Sequence, residues 1–156
     1  MVILQEGKVR RPLIQSTQAE RETILHTLQR GLEAQPRVVF AYVHGSFLED
    51  RPFHDIDVAV YVDPGDDREM GLFALDLASS LEESVAQTPN RVAGFFPVDV
   101  RVLNRAPLGF CYHVFRGKLL CSRDDTVRTQ WVERVVSRYL DLKPLRQHAL
   151  KEAMTA

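Results

Sequence analysis

The chain has 156 residues, 45% of them apolar and 26% charged. These are the proportions of an ordinary globular protein, and the length predicts a single domain over residues 1–156. They exclude a disordered, collagen-like or disulfide-stapled chain, and the formal charge of −1 excludes a generically basic nucleic-acid binder. The near-neutrality hides a split. Between Glu49 and Asp67 seven acids stand against one base, Arg51, a local charge of −6. From Arg101 to Ala156 eleven Lys/Arg stand against five Asp/Glu, a local charge of +6.

Taken in chain order, Thr17 and Glu20 have capping-box spacing, and Ile24, Leu25, Leu28 and Leu32 share one face. This predicts a helix from about Ser16 to Leu32, broken by Pro36. Arg37 to Val43 is apolar at every position after the arginine and carries three β-branched valines, as a strand buried on both faces requires. It ends at His44-Gly45-Ser46. Ile56 to Val62 is a second strand, closed by Asp63-Pro64-Gly65. A second helix runs from about Asp67 to Ala86, with the stripe Phe73, Leu77, Leu81, and stops at Thr88-Pro89-Asn90. Phe95 to Leu103 reads as a third strand whose first half Pro97 demotes to an edge or bulge. A short helix near Pro107 to Phe115 and a strand near Lys118 to Cys121 follow. Asp124 to Leu140 is a helix with Val127, Trp131 and Val135 on one face, and Pro144 opens a separate last helix. The order predicts an α/β (α+β) fold with a small mixed sheet flanked by helices. Its core spans about residues 18–122 and its C-terminal helical part about 124–154.

No apolar run reaches membrane-spanning length, and Met1 to Gly7 lacks the pattern of a secretory signal. Cys111 and Cys121 form no CxxC pair and read as reduced, packed thiols. These features predict a cytoplasmic protein without a membrane partner.

The chemistry concentrates around the second strand. Asp55 and Asp57 are two residues apart, so their carboxylates leave one face together. Converging carboxylates suit a divalent cation such as Mg²⁺, held jointly with substrate phosphates. The competing reading makes Asp55 a turn cap and leaves Asp57 on an exposed face. Gly45-Ser46 ends the preceding strand, where a glycine permits close approach of backbone to phosphate and the serine hydroxyl adds a donor. Taken alone, that pair is an ordinary turn. Asp99, inside the apolar run Val98 to Val102, is costly unless paired or metal-bound. Its alternatives are an ion pair with Arg101 or a third ligand of a two-metal site for phosphoryl displacement. His44, His54, Asp63, Arg105, Arg116 and Lys118 read as structural or solvated residues. Trp131 and Tyr139 read as packing.

Gly45-Ser46, Asp55-Ile56-Asp57 and Asp99 together resemble the signature of the DNA polymerase β-like nucleotidyltransferase superfamily. Val98 to Pro107, Arg116 to Leu120 and Tyr139 to Arg146 are similar to its minimal nucleotidyltransferase (MNT) group, and the resemblance extends from about residue 18 to 150. It implies an antitoxin of the MntA type, paired with a HEPN-domain toxin, that transfers AMP from ATP to a tyrosine hydroxyl of its partner. Gly45 and Ser46 would hold the ATP phosphates, Asp55 and Asp57 two Mg²⁺ ions, and Asp99 would complete the metal site and help activate the hydroxyl. The resemblance implies no direct nucleic-acid binding, and a homo-oligomer or a hetero-oligomer with the toxin. This chain departs from the usual pattern in a short Ser46–Asp55 gap and in Leu48-Glu49-Asp50, where an arginine is common. Those departures motivate an alternative, a catalytically weak antitoxin that neutralises by stoichiometric binding. Transfer to a small molecule of the aminoglycoside type ranks lower, since little chain remains to bind such an acceptor.

Overall fold

The computed structural model describes residues 12–88 and 95–155. Helix α1 (Gln18–Glu33) starts at the expected capping box: the Thr17 hydroxyl accepts from Glu20 N–H, and the Glu20 carboxylate accepts from Thr17 N–H at 2.7 Å. Strand β1 (Val38–His44) is buried along its whole length. A 3-10 turn (Ser46–Leu48) follows, then β2 (Ile56–Val62), α2 (Asp67–Ala86), β3 (Val98–Val102), α3 (Leu108–Phe115), β4 (Lys118–Ser122) and α4 (Asp125–Thr155).

The strands form one mixed sheet in the order β3-β2-β1-β4. Strand β1 pairs antiparallel with both β2 and β4, while β2 and β3 run parallel, joined through α2. The side-chain period of two divides β2 between the two faces of the sheet, while β1 is irregular near Val39, where Val39 and Phe40 fall in one layer. Ile56, Val58, Val60 and Val62 join Ile24, Leu28 and Leu32 of α1 and Leu77, Leu81 and Val85 of α2 in one core. Phe40, Tyr42 and Ala59 join Cys111 and Val114 of α3 and Trp131 and Val135 of α4 in the other. Phe40 anchors this second layer, its ring 4.9 Å from Tyr61 and 5.2 Å from Trp131. Trp131 is therefore core, and Tyr139 packs by stacking on Tyr112 at 3.7 Å. Both cysteines are free, Cys111 buried and Cys121 half-buried.

The strand expected from Phe95 to Leu103 begins only at Val98. Pro97 has no N–H for the ladder, but its carbonyl accepts from Ile56 N–H at 2.8 Å and starts the parallel pairing. The two helices expected after Asp124 are one helix of 31 residues that contains Pro144. Proline removes the bond to the carbonyl four residues earlier, on Leu140. Residues 140–155 are all exposed, so water can serve that carbonyl. Among the described residues no helix is long and apolar enough to cross a membrane. The reading of Met1 to Gly7, and Pro89-Asn90 as part of a helix stop, lie outside the described residues; α2 itself ends at Ala86, capped by Gln87.

Candidate active site

The end of β1 and the start of β2 meet at Gly45. Its backbone has φ +81° and ψ −161°, a conformation open to glycine. A Cβ there would lie 2.5 Å from Asp57 Oδ2, so the absence of a side chain is what lets the turn lie against this carboxylate. Ser46 is half-buried and opens the 3-10 turn, where Leu48 N–H donates to Gly45 C=O and Glu49 N–H to Ser46 C=O.

The sheet register assembles the acids. Asp57 lies opposite His44 of β1 on one side and opposite Asp99 of β3 on the other. Asp55 precedes β2 by one residue and shares the face of Asp57 by the two-residue period. This row occupies the α3/α4 side of the sheet, at the edge of that core layer. Burial, reinforced by Asp55 and then Asp99, pushes the Asp57 carboxyl up to about 6, while Arg101 opposes the shift. A half-buried acid raised by two neighbouring acids is disfavoured in its charged form and gains most from an added cation.

Asp55 and Asp99 both act on Asp57, and the three do not form a closed ligand shell. Asp99 Oδ2 accepts from Arg101 Nε at 3.3 Å, so the expected ion pair is present alongside the alignment with Asp57. Among the described residues no three His, Cys, Asp or Glu side chains form a metal-binding cluster. The donor set nevertheless suits Mg²⁺: hard carboxylate oxygens side by side, one carboxyl raised by burial and then by its acidic neighbours.

His44 is buried and its Nε2 has no hydrogen-bond partner. Its ring stands edge-on to Phe110 at 5.4 Å and to His113 at 5.5 Å. Burial, then His113 and Arg101, lower its pKa to about 4, with Asp99 opposing, so the imidazole is neutral at physiological pH. Sequence reasoning missed the wall that α3 builds here. Phe110 and His113 are three apart on one helix face, but nothing in the sequence ties that face to His44. Arg101 also lies over Phe110, 5.5 Å from the ring centroid. The other candidates are structural: His54 Nδ1 sits 3.3 Å from Pro12 C=O, Arg123 pairs with Asp63, and Arg105 pairs with Asp67 at 2.7 Å.

The loop between Ser46 and Asp55 is tied down from α1. The Arg21 guanidinium, buried, donates to the carbonyls of Glu49 and Arg51. Arg51 Nε pairs with the Glu49 carboxylate. On the far side of Arg101, a groove of about 510 Å³ opens between α2 and β3, lined among others by Met70, Ala74, Arg101, Arg105 and Phe110 and by none of Asp55, Asp57 and Asp99.

The polymerase beta nucleotidyltransferase family profile matches residues 26–126, which include every acid of this row and Gly45-Ser46. Curated protein sequences give no match. Among solved structures, a chain from the complex of tri-AMPylated Shewanella oneidensis HEPN toxin with MNT antitoxin is 24% identical with TM-score 0.55, over 88% of this chain and 98% of that one. A chain of the MntA–HepT toxin–antitoxin crystal structure is 23% identical with TM-score 0.55, over 88% and 99%. A chain of a toxin–antitoxin structure with AMP-PNP is 23% identical with TM-score 0.58, over 86% and 98%. These likenesses extend the fold over nearly the whole of those chains. By the match of its family profile over most of its length, this chain belongs to the polymerase beta nucleotidyltransferase family.

Proposed function

We propose that this protein is an MNT antitoxin that transfers AMP from ATP to a hydroxyl of a HEPN toxin, a tyrosine foremost. The observation that carries this reading is the alignment of Asp57 with Asp99 on parallel strands, with Gly45 seated against the Asp57 carboxylate. Structural likeness to chains from toxin–antitoxin complexes, one with an AMPylated toxin and one with AMP-PNP, supports the choice of partner and nucleotide.

In this reading Gly45 and Ser46 hold the ATP phosphates, the glycine by close backbone approach and the serine by its hydroxyl. Asp55 and Asp57, with Asp99, hold two Mg²⁺ ions. When bound, these ions neutralise the triphosphate and the charge that develops during displacement. Asp99 takes the proton of the incoming hydroxyl. The hydroxyl oxygen bonds to the α-phosphorus, the bond to the β-phosphate bridge breaks, and pyrophosphate leaves. The reaction takes place in the cytoplasm, without nucleic acid or membrane as partner.

Incubating the chain with its HEPN toxin, Mg²⁺ and ATP labelled in the α-phosphate tests this: the toxin becomes labelled, and Asp57→Asn abolishes the label. A well-folded pair that stays unlabelled sinks the enzymatic reading.

One observation favours a second reading, neutralisation by stoichiometric binding. Arg51, the cation nearest the Gly-Ser turn in sequence, is paired with Glu49. Toxin neutralisation in cells separates the two: an Asp57→Asn protein that still neutralises acts by binding, and one that fails while folded acts by catalysis.

A further inference from the structure

Helix α4 spans about 46 Å at about 1.5 Å per residue, and only its first half rests on the body. Trp131 and Val135 are buried against the sheet, and Tyr139 stacks on Tyr112 of α3. Beyond that point, residues 140–155 are all exposed. An isolated helix of this length is marginal in water, and Pro144 weakens it further. Its apolar face does not end with the body. Steps of four, three and seven residues from Val135 lead to Tyr139, Leu142 and Ala149 on one stripe, interrupted by Arg146 and flanked by Leu145 and Leu150. Leu145 is 65% exposed and Leu150 63%. Arg146 holds the root of this overhang: its guanidinium lies over Tyr139 at 5.8 Å and beside Gly109. Between them Tyr139, Lys143, Arg146 and Leu150 line a groove of about 630 Å³.

We propose that this exposed half of α4 is a docking helix, and that its occupant is a helix of the partner toxin that is apolar along one stripe and acidic beside it. This rests on the reading of the chain as one half of a toxin–antitoxin pair. Charge selects the occupant. From Arg134 to Thr155 there are five Lys/Arg and two Asp/Glu, and Arg138 and Lys143 border the stripe. An antiparallel second copy would set cations against cations, whereas acidic flanks complement them. The stripe also continues the face already packed on the body, and its root adjoins α3. The Phe110 ring of α3 is shared between the His44 wall and the groove lined by Arg101 and Arg105. A partner seated at the root of α4 therefore also reaches α3, whose Phe110 and His113 wall His44.

The test uses the full chain and its HEPN toxin, with binding read by isothermal titration and AMP transfer read in parallel. Leu142→Asp with Leu145→Asp, at exposed positions, weakens binding about 100-fold or more. Arg138→Glu with Lys143→Glu weakens it about 10-fold and flattens its salt dependence. Both pairs keep the wild-type near-ultraviolet signal of Trp131. Light scattering of the chain alone gives a monomer. Wild-type affinity in both variants overturns the proposal, and so does a dimer of the chain that the two aspartates dissolve, which would make a second copy the occupant. A toxin that binds and loses affinity for the aspartate variant but is never labelled leaves docking standing and removes the enzymatic reading. A toxin that is labelled and bound equally by all variants does the reverse, and a toxin that does not bind the wild type removes both.

Discussion

At Gly45 a methyl group would sit 2.5 Å from Asp57 Oδ2, on a backbone with φ +81°. Gly45→Ala therefore carries both the strain of a left-handed alanine and a clash with a site carboxylate. A loss of about 1–3 kcal/mol in urea unfolding is expected, together with loss of AMP transfer. Stability unchanged within error would mean that the turn rearranges freely. Asp57 and His44, opposite each other on β2 and β1, titrate with opposite consequences. The Asp57 carboxyl is raised from 3.8 to about 6, so its contribution to stability is present below its unfolded pKa and is lost as pH rises through about 6. His44 is lowered from 6.5 to about 4, so its contribution is present above 6.5 and is lost as pH falls toward 4. Between about 4 and 6 the two slopes oppose each other and the wild type varies little. Asp57→Asn removes one of them. The variant is expected to be more stable than wild type above pH 6 without metal, by about 1 kcal/mol after allowance for solvent screening. It should then lose stability on acidification from 6.5 to 4, at a slope on the order of 1 kcal/mol per pH unit. Urea midpoints across that range check both; parallel curves for the two proteins would refute the assignment. The acids themselves were legible in the sequence, because a two-residue spacing and a lone acid in an apolar strand are local signals. The cradle at Gly45 was legible only as a turn, since its sign of φ depends on what lies against it. The burial of His44 was not legible, because the covering residues come from α3, more than sixty positions later.

At the scale of elements, β2 and α2 have the bounds their periodicity predicts, because each is marked at both ends: turn residues for the strand, and the Asp66 cap and Gln87 exit for the helix. The C-terminal end of α4 is where sequence reasoning fails. A proline after a polar stretch predicts a new helix, yet α4 continues through Pro144 as one helix. Propensity describes the local cost, about 3 kcal/mol in a helix interior, but not whether surrounding solvent can satisfy the carbonyl left open. Pro144→Ala restores the missing N–H and removes the ring. The amides of residues 140–155 should then exchange with solvent more slowly, by up to about a hundredfold if most of that cost is recovered locally. Amides in β1 and β2 should be unaffected, because nothing beyond Tyr139 is buried against them. Equal protection of the far half in both proteins would show that Pro144 imposes no cost there. The root of the same helix behaves oppositely. Trp131 contacts the rings of Phe40 and Tyr42, at 5.2 and 6.3 Å, so Trp131→Ala opens a cavity in the second core layer. A cost of about 3–5 kcal/mol in global unfolding is expected.

At the scale of the whole molecule, the near-zero charge is the sum of an acidic segment and a basic one, and the sheet is what brings parts of them together. Asp55 and Asp57 come from the segment of −6, while Arg101, at the start of the segment of +6, reaches back to Asp99. A site of mutually repelling acids weakens the empty protein and strengthens the loaded one, so ligand binding should be visible in global stability. A ligand at 100 times its Kd adds about 2.7 kcal/mol to unfolding. For a protein of this size, 1 kcal/mol moves Tm by about 2–4 °C, so saturating Mg²⁺ with ATP is expected to raise Tm by about 5–11 °C. Chelation of the metal should return it to the starting value. Asp57→Asn should show little of the rise, since it lacks the carboxylate whose charge the cation offsets. Trp131→Ala melts lower but should keep most of the increment, because its defect lies in the layer between the sheet and α4 rather than among the acids. A calorimetric series over these three proteins thus separates a weakened frame from a lost site. A rise of the same size in wild type and Asp57→Asn would place nucleotide binding away from this row of acids.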